Sequence, residues 1–594
     1  MTMAEAWGVA PGHYDIDGRW VPAEPQTVCR VLDAMGAEGA PPSPPVLVVH
    51  AGQTLPFSGI AEVITEDGAA IRLDTSQPLD LPYGYHTLHR PDDGSEARLI
   101  VSPGRCHLPA GLRAWGWAAQ LYAVRSLQSW GFGDLGDLRG LACWAARLGA
   151  GHVLVNPLGA SLPLLPQEPS PYYPSSRRYR NPLYIRVEEV PGAAELGERL
   201  ERLACSGRDL NRQRLIERDR VFHLKMRALE QIFTNSEPSD EFDRYRDGEG
   251  RGLTDYATFC ALTEVHGRPW RSWPAALHHP DSPAVRRFRA ERRCRVAFHK
   301  WLQWLLDRQL ASAAREIGLV HDLPIGVRAE GADAWAWQDT FADAISVGAP
   351  PDPFNQAGQD WAVPPFDPWR LRSAGYEPFI QTLRAALCHG VGLRIDHVMG
   401  LFRLFWIPNG MGPDQGVYVR YPYRELLDIL ALESHRAGAF VVGEDLGTVE
   451  DIVRDEMADR CILSYRLLWF EQRPPGEYRR ESVAALTTHD LPTLAGIWEG
   501  SDPDESVRER LVRYAGVSDG EATEEVAAAA YRALARCPSR LVAATLEDAL
   551  GVAERPNKPG TIDEWPNWSL GLPLTLEQLR EDPRPARLAG VLRR

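Results

Sequence analysis

Eight apolar, strand-like runs recur from about residue 115 onward and limit the folds open to this chain. They are Trp117–Val124 (WAAQLYAV), Gly151–Pro157 (GHVLVNP), Leu319–Val327 (LVHDLPIGV), Gly392–His397 (GLRIDH), Ala439–Asp445 (AFVVGED), Ile462–Phe470 (ILSYRLLWF), Ser482–Asp490 (SVAALTTHD) and Leu541–Asp548 (LVAATLED). Helical stretches separate several of them, including the long amphipathic stretch Arg295–Glu316. Near-continuous apolar runs suit strands buried on both faces of a parallel sheet. Eight of them alternating with helices suit an α/β fold, the (β/α)8 TIM barrel, whose working residues sit at the C-terminal strand ends. Periodicity equally allows an open doubly wound sheet.

At 594 residues the chain exceeds what one core usually organises. Up to about residue 110, short apolar runs such as Val46–Val49 alternate with Pro/Gly-rich punctuation at Gly39–Pro45 and Asp80–Tyr85, which predicts a small all-β domain. The expected division is therefore an N-terminal β-rich domain at 1–112 and the barrel at 113–594. Residues 159–316 between the second and third runs are too many for a loop. With helical patterns such as Asp209–Phe233, they predict an inserted helical subdomain over the barrel mouth.

Composition removes several classes. A formal net charge of −15 opposes broad binding of nucleic acid. No apolar run is long enough to span a bilayer, and Met1–Ala10 lacks a signal peptide's basic and apolar segments, so a cytoplasmic protein is expected. The nine cysteines are odd in number and form no C-x-x-C, so reduced, mostly buried thiols are expected. No H-E-x-x-H, cysteine cluster or EF-hand loop implies a metal. Asp352, Asp360 and Asp367 lie among prolines and read as turn residues.

The chemistry is suggested by where the acids fall. Asp396 ends GLRID, Glu444 ends AFVVGE and Asp490 ends ALTTHD. Any one of these alone would read as a turn or cap residue. Three on the strand ends of one parallel barrel converge on one face, and paired carboxylates are what glycosidic chemistry needs. Arg394 lies two residues before Asp396, so both point to one face of a strand, and the cation favours the ionised carboxylate a nucleophile requires. Glu444 follows an apolar run and Gly443, where desolvation would raise it toward a general acid. His489 would donate hydrogen bonds to sugar hydroxyls.

These motifs make the chain resemble the amylomaltase (4-α-glucanotransferase) family of glycoside hydrolases. The matching segments are LYAVRSLQSWGFGDLGDL at 121–138, EPSPYYPSSRRYRNPLYI at 168–185, VGAPPDPFNQAGQDW at 347–361, LRIDHVMGLFRLFWIPNG at 393–410, VVGEDLGTV at 441–449, LTTHDLPT at 486–493 and RPNKPGT…PNW at 555–568. The resemblance implies that Asp396 is the nucleophile, Glu444 the acid and then base, and Asp490 the stabiliser of ring hydroxyls and transition state. It further implies that Arg394 and His489 bind sugar around the scissile bond and that Trp361, with Gln359 beside it, stacks on the acceptor-side sugar. Tyr172 would stack on the donor-side ring, and Asp322 would be the acid of a third-strand motif, here in a looser match. Ala362 stands where family members commonly have Gly.

The implied activity is cofactor-free, retaining transfer of an α-1,4-glucan segment to glucose, maltose or a longer acceptor. Hydrolysis on the same fold and a silent glucan-binding protein are the alternatives. The N-terminal domain carries no recognisable chemistry. Glucan binding and dimer formation both stay open for it, as do monomer and homodimer for the whole chain.

Overall fold

The eight runs close into a barrel. The computed structural model describes all residues except 1, 16, 43–45, 91–93, 236, 238, 352–355 and 448, so Asp352 lies outside the described residues. The barrel strands are β1 (Ala114–Ala119), β2 (His152–Val155), β3 (Gly318–Leu323), β4 (Gly392–Ile395), β5 (Phe440–Gly443), β6 (Leu463–Leu467), β7 (Ser482–Ala485) and β8 (Leu541–Thr545). Each pairs in parallel with its predecessor and β8 returns to β1, which excludes the open sheet. Side chains alternate as strands require. Val320, Phe440, Val442, Tyr465 and Val483 cluster in the lumen, while Leu393 and Val441 join a core shared with the surrounding helices.

Several strand ends differ from expectation: β7 stops at Ala485, five residues before Asp490, and β6 at Leu467. In the first run the strand starts earlier and stops at Ala119, and Leu121–Ala123 forms a 3-10 turn. Asn156 Oδ1 accepts the Leu121 N–H at 2.7 Å, a side-chain partner that replaces a ladder bond. The third strand ends at Leu323 because Pro324 has no N–H to continue it.

The long insertion is helical, with helices at Glu198–Asp209, Arg218–Asn235, Asp240–His266 and Pro283–Glu291. The stretch Asp209–Phe233 is not one helix: a 3-10 turn at Leu210–Arg212 separates two. Helix Arg293–Ala314, which precedes β3, packs on Leu135–Arg147 and belongs to the barrel's own helical layer. A feature without a clear sequence signal is an antiparallel sheet of Gln359–Val363, Ile345–Ala349, Arg403–Pro408 and Val417–Arg420, in that order, built from the loops after β3 and β4.

In the N-terminal region a five-stranded sheet runs from Val46 to Ser102, preceded by the short helix Met3–Ala6, a hairpin of Gly12–Tyr14 and Trp20–Pro22, and helix Pro25–Met35. Strand Ile60–Ile64 alternates cleanly, with Ala61 and Val63 turned to its core. The sheet rests on barrel helix Tyr423–Ala437 through polar contacts, among them Tyr85 donating to Glu433 at 2.6 Å. All nine cysteines are free, but only Cys106, Cys260 and Cys537 are buried, so the expectation of mostly buried thiols does not hold. No helix among the described residues is long and apolar enough to cross a membrane.

Candidate active site

Register brings the acids together. β4 and β5 are adjacent, with Ile395 opposite Gly443, so the next residue on each strand is Asp396 and Glu444. Backbone bonds hold this alignment past the strand ends: Glu444 N–H donates to the Ile395 carbonyl at 3.0 Å and Asp396 N–H to the Leu323 carbonyl at 3.0 Å. Asp490 follows β7. All three lie at the C-terminal mouth, where such barrels carry their chemistry.

Arg394 organises one side of the cleft. Its Nη1 donates to both carboxylate oxygens of Asp322, at 2.7 and 2.8 Å, and lies 3.0 Å from Asp396 Oδ1. Tyr172 donates its only hydroxyl proton to Asp322 Oδ2 at 2.6 Å. The same hydroxyl lies 3.2 Å from His489 Nδ1, so it accepts there and Nδ1 carries a proton. His489 Nε2 faces Asp490 Oδ2 at 3.3 Å, a carboxylate that can only accept. Both contacts favour a protonated ring at His489. Burial alone would favour its neutral form, but the charge of Asp490 raises it.

The two facing carboxyls are tuned in different ways. Burial raises Asp396 to about 6 against the pull of Arg394, with the negative charge of Asp322 adding to the rise. Burial raises Glu444 further, to about 7, and the neighbouring Asp396 charge adds to it. Among the described residues, Glu444 has no cation in hydrogen-bond contact. It accepts the His397 N–H at 2.9 Å and the Leu446 N–H at 2.8 Å, which fix its orientation. On falling pH, Glu444 takes the first proton. Asp490 goes the other way: enclosure opposes its ionisation, but His489 and Asn557 outweigh that and hold it below the usual range.

Trp361 stands on the antiparallel sheet beside this pair. Its ring meets His397 edge-on at 5.3 Å, and its indole N–H donates to Gln359 Oε1 at 3.1 Å. Tyr172 stacks on His489 at 4.6 Å, so one ring face is already occupied. The structure thus gathers Asp322, Arg394, Asp396, Glu444, His489, Asp490 and Tyr172 into one cleft, and sets Gln359 and Trp361 on its wall. Of the turn acids, Asp367 caps helix Pro368–Ser373, whereas Asp360 sits on strand Gln359–Val363.

Residue-level reading missed three supports. Asn557 donates to Asp490 Oδ1 at 2.7 Å, Arg555 donates to the Asp490 carbonyl at 3.0 Å, and Trp568 packs on both Tyr172 and His489. All three lie in the segment RPNKPGT…PNW, so the motif was visible while its contacts were not. Glu547, raised to about 7 by burial, lines the same cleft without having been singled out.

A closed parallel barrel with a cation-held aspartate, a facing raised glutamate and a third acid at its mouth defines an enzyme class, one acting on glycosidic bonds. A family model described as 4-alpha-glucanotransferase matches residues 119–575. A 4-alpha-glucanotransferase of Mycobacterium tuberculosis is 40% identical over 706 aligned positions, covering 100% of this chain and 98% of that protein. One from Haemophilus influenzae is 30% identical, covering 95% and 94%. The crystal structure of amylomaltase from Corynebacterium glutamicum superposes with a TM-score of 0.88 at 32% identity, covering 100% and 99%. The chain belongs to the 4-alpha-glucanotransferase family.

Proposed function

We propose that this protein cuts an α-1,4-glucan and passes the released segment to the 4-hydroxyl of another sugar by a retaining double displacement. The observation that carries this reading is the register pairing of Asp396 with Glu444 on adjacent strands. Neighbouring strands lie about 4.8 Å apart, which suits the separation of about 5 Å between the carboxyls of a retaining pair and leaves no room for a water opposite the bond.

In the first step the Asp396 carboxylate attacks the anomeric carbon while Glu444 gives its proton to the leaving glycosidic oxygen. A β-glucosyl ester on Asp396 results. In the second step the acceptor's 4-hydroxyl attacks the same carbon, its proton passes to Glu444, and Asp396 leaves. Two inversions return an α-1,4 bond. Asp490 and His489 hold ring hydroxyls as positive charge develops on the sugar. Arg394 keeps Asp396 ionised until attack. Trp361 presents an aromatic face to the acceptor sugar, glucose, maltose or a longer chain. Nucleophile, acid and base are all side chains, so the cycle draws on no cofactor. A supply of maltodextrin in the cytoplasm is the setting this reading implies.

Maltotriose incubated with the protein and a chelator tests it. Glucose and longer maltodextrins at constant total reducing ends support transfer; rising reducing ends mean that water is the acceptor and overturn it. Asp396→Asn is expected to lower transfer on the order of 10⁴-fold while the chain stays folded. Activity retained in that variant would reassign the nucleophile.

A further inference from the structure

Away from the cleft, three side chains with different donor atoms meet at the opposite end of β4. Asp307 lies on helix Arg293–Ala314, and Cys388 and His389 lie in the turn between helix Glu377–Leu387 and β4. His389 Nε2 is 2.8 Å from Asp307 Oδ1, Cys388 Sγ is 3.9 Å from the same oxygen, and one donor atom from each residue falls within 4.8 Å of the others. We propose that Asp307, Cys388 and His389 form a binding site for a divalent metal of the zinc type, which clamps this helix to the turn that launches β4.

The distances fit that ion. Zinc bonds of about 2.3 Å to sulfur and about 2.0–2.2 Å to nitrogen and oxygen, at tetrahedral angles, put oxygen and nitrogen about 3.3 Å apart and sulfur and oxygen about 3.5 Å apart. The nitrogen–oxygen and sulfur–oxygen pairs need to move by no more than about half an ångström to meet those edges, and sulfur and nitrogen, within 4.8 Å of each other, need to close toward about 3.5 Å. The backbone makes the convergence possible. Neighbouring residues of an extended chain point to opposite faces. His389 instead takes the left-handed conformation, φ 60, and both side chains reach one aspartate.

Donor chemistry selects the metal class. Thiolate with imidazole and one carboxylate suits zinc and its transition-metal neighbours, whereas calcium and magnesium require oxygen. Three protein ligands leave a fourth corner for water. The surroundings are mixed. Arg180 lies within electrostatic reach of Asp307 and opposes a cation, and Glu249 lies within reach of the same group and favours one. His321, 7% exposed with its Nε2 unpartnered, sits beside the trio and has its ring against Gly390. Without a metal the trio is an Asp307–His389 ion pair with the Cys388 thiol donating to the same aspartate oxygen at 3.9 Å, and a bound ion would replace both contacts with bonds to one centre.

The site lies at the N-terminal end of β4, the face of such barrels that serves stability, whereas Arg394 and Asp396 stand at the other end. Metal here would stiffen the strand that carries them without entering the reaction. The test uses the full chain, stripped with a chelator and titrated with zinc chloride by calorimetry and by competition with a chromophoric chelator. One equivalent is expected to bind, with the thermal midpoint rising as zinc is added. Cys388→Ser and His389→Gln should each weaken binding at least tenfold and abolish the thermal shift, with maltotriose transfer unchanged in both. The cobalt(II) form of the unaltered protein should show a sulfur-to-metal charge-transfer band that Cys388→Ser removes. Absence of stoichiometric zinc, or equal uptake by the two variants, overturns the proposal and leaves an ion pair. Loss of glucan transfer in the parent protein would bear on the cleft and not on this site.

Discussion

Arg394 gives one guanidinium nitrogen to two aspartates at once, lying 2.7 Å from Asp322 Oδ1 and 3.0 Å from Asp396 Oδ1. The negative charge of Asp322 raises Asp396 directly and also occupies the cation that would lower it. Asp322→Asn is therefore expected to lower the Asp396 pKa and move the acid limb of kcat/KM to lower pH. The rate itself should fall by about 10–100-fold, because Arg394 and the Tyr172 hydroxyl lose a charged partner worth about 1.5–3 kcal/mol. A pH profile of maltotriose transfer checks both. An unmoved acid limb would show that Asp322 only packs.

The pair of facing carboxyls sets the working range. Asp396 must be ionised and Glu444 protonated, and burial raises them to about 6 and about 7. A bell is expected, with activity lost below the first value and above the second. Glu444→Gln should abolish the alkaline limb along with most of the rate. Direct transfer assays between pH 4 and 9 decide this, and a single sigmoid in the parent protein would contradict it.

The same shift has a cost in stability. Glu444 binds its proton more tightly folded than unfolded, so its contribution to stability is complete at acid pH and lost as pH rises through about 7. Glu444→Gln carries no charge to bury. It is expected to melt near the parent temperature at pH 5 and above it at pH 8. Calorimetry at the two pH values reads this, and an identical difference at both would refute the linkage.

Much of this architecture was legible, and for identifiable reasons. β5 is apolar on both faces and β4 on all but Arg394, and both stop at carboxylates, so the runs GLRID and AFVVGED revealed both strand and acid. Parallel pairing then placed Asp396 beside Glu444 without further information. Contacts between distant segments left no such trace. Tyr172 and Asp322 are 150 residues apart, and Asn557 and Asp490 are 67 apart, and no local pattern encodes either bond. The antiparallel sheet under Trp361 was obscured because its strands come from two loops and its members, such as Arg403–Pro408, read as continuations of a motif.

Asn557 is expected to matter through Asp490. Its amide fixes Oδ1 at 2.7 Å and helps hold the acid below the usual range. Asn557→Ala should lower kcat by about tenfold, the loss of roughly one charged hydrogen bond, about 1.4 kcal/mol. KM should change little, because the group held is most needed when charge develops on the sugar. Steady-state kinetics separate the two constants. A rise in KM alone would make Asn557 a ground-state contact.

Ala362 offers the sharpest test of the acceptor wall. It takes φ 55, the left-handed region where a Cβ crowds the following carbonyl. Its backbone is pinned there, with its N–H donating to Asp360 Oδ1 at 2.8 Å and its carbonyl accepting from Tyr173 at 3.1 Å. Relief of the strain by Ala362→Gly is worth about 1–2 kcal/mol, and the added freedom of glycine in the unfolded chain costs about 0.5–1 kcal/mol. The strain term is the larger, so the variant is expected to be slightly more stable. Trp361 is the preceding residue and shares that backbone, so the KM for a glucose acceptor should shift while cleavage of the donor does not. Thermal melting together with acceptor-dependent transfer measures both effects. A destabilised variant with an unchanged acceptor KM would mean that the alanine is accommodated without strain and that the wall does not depend on it.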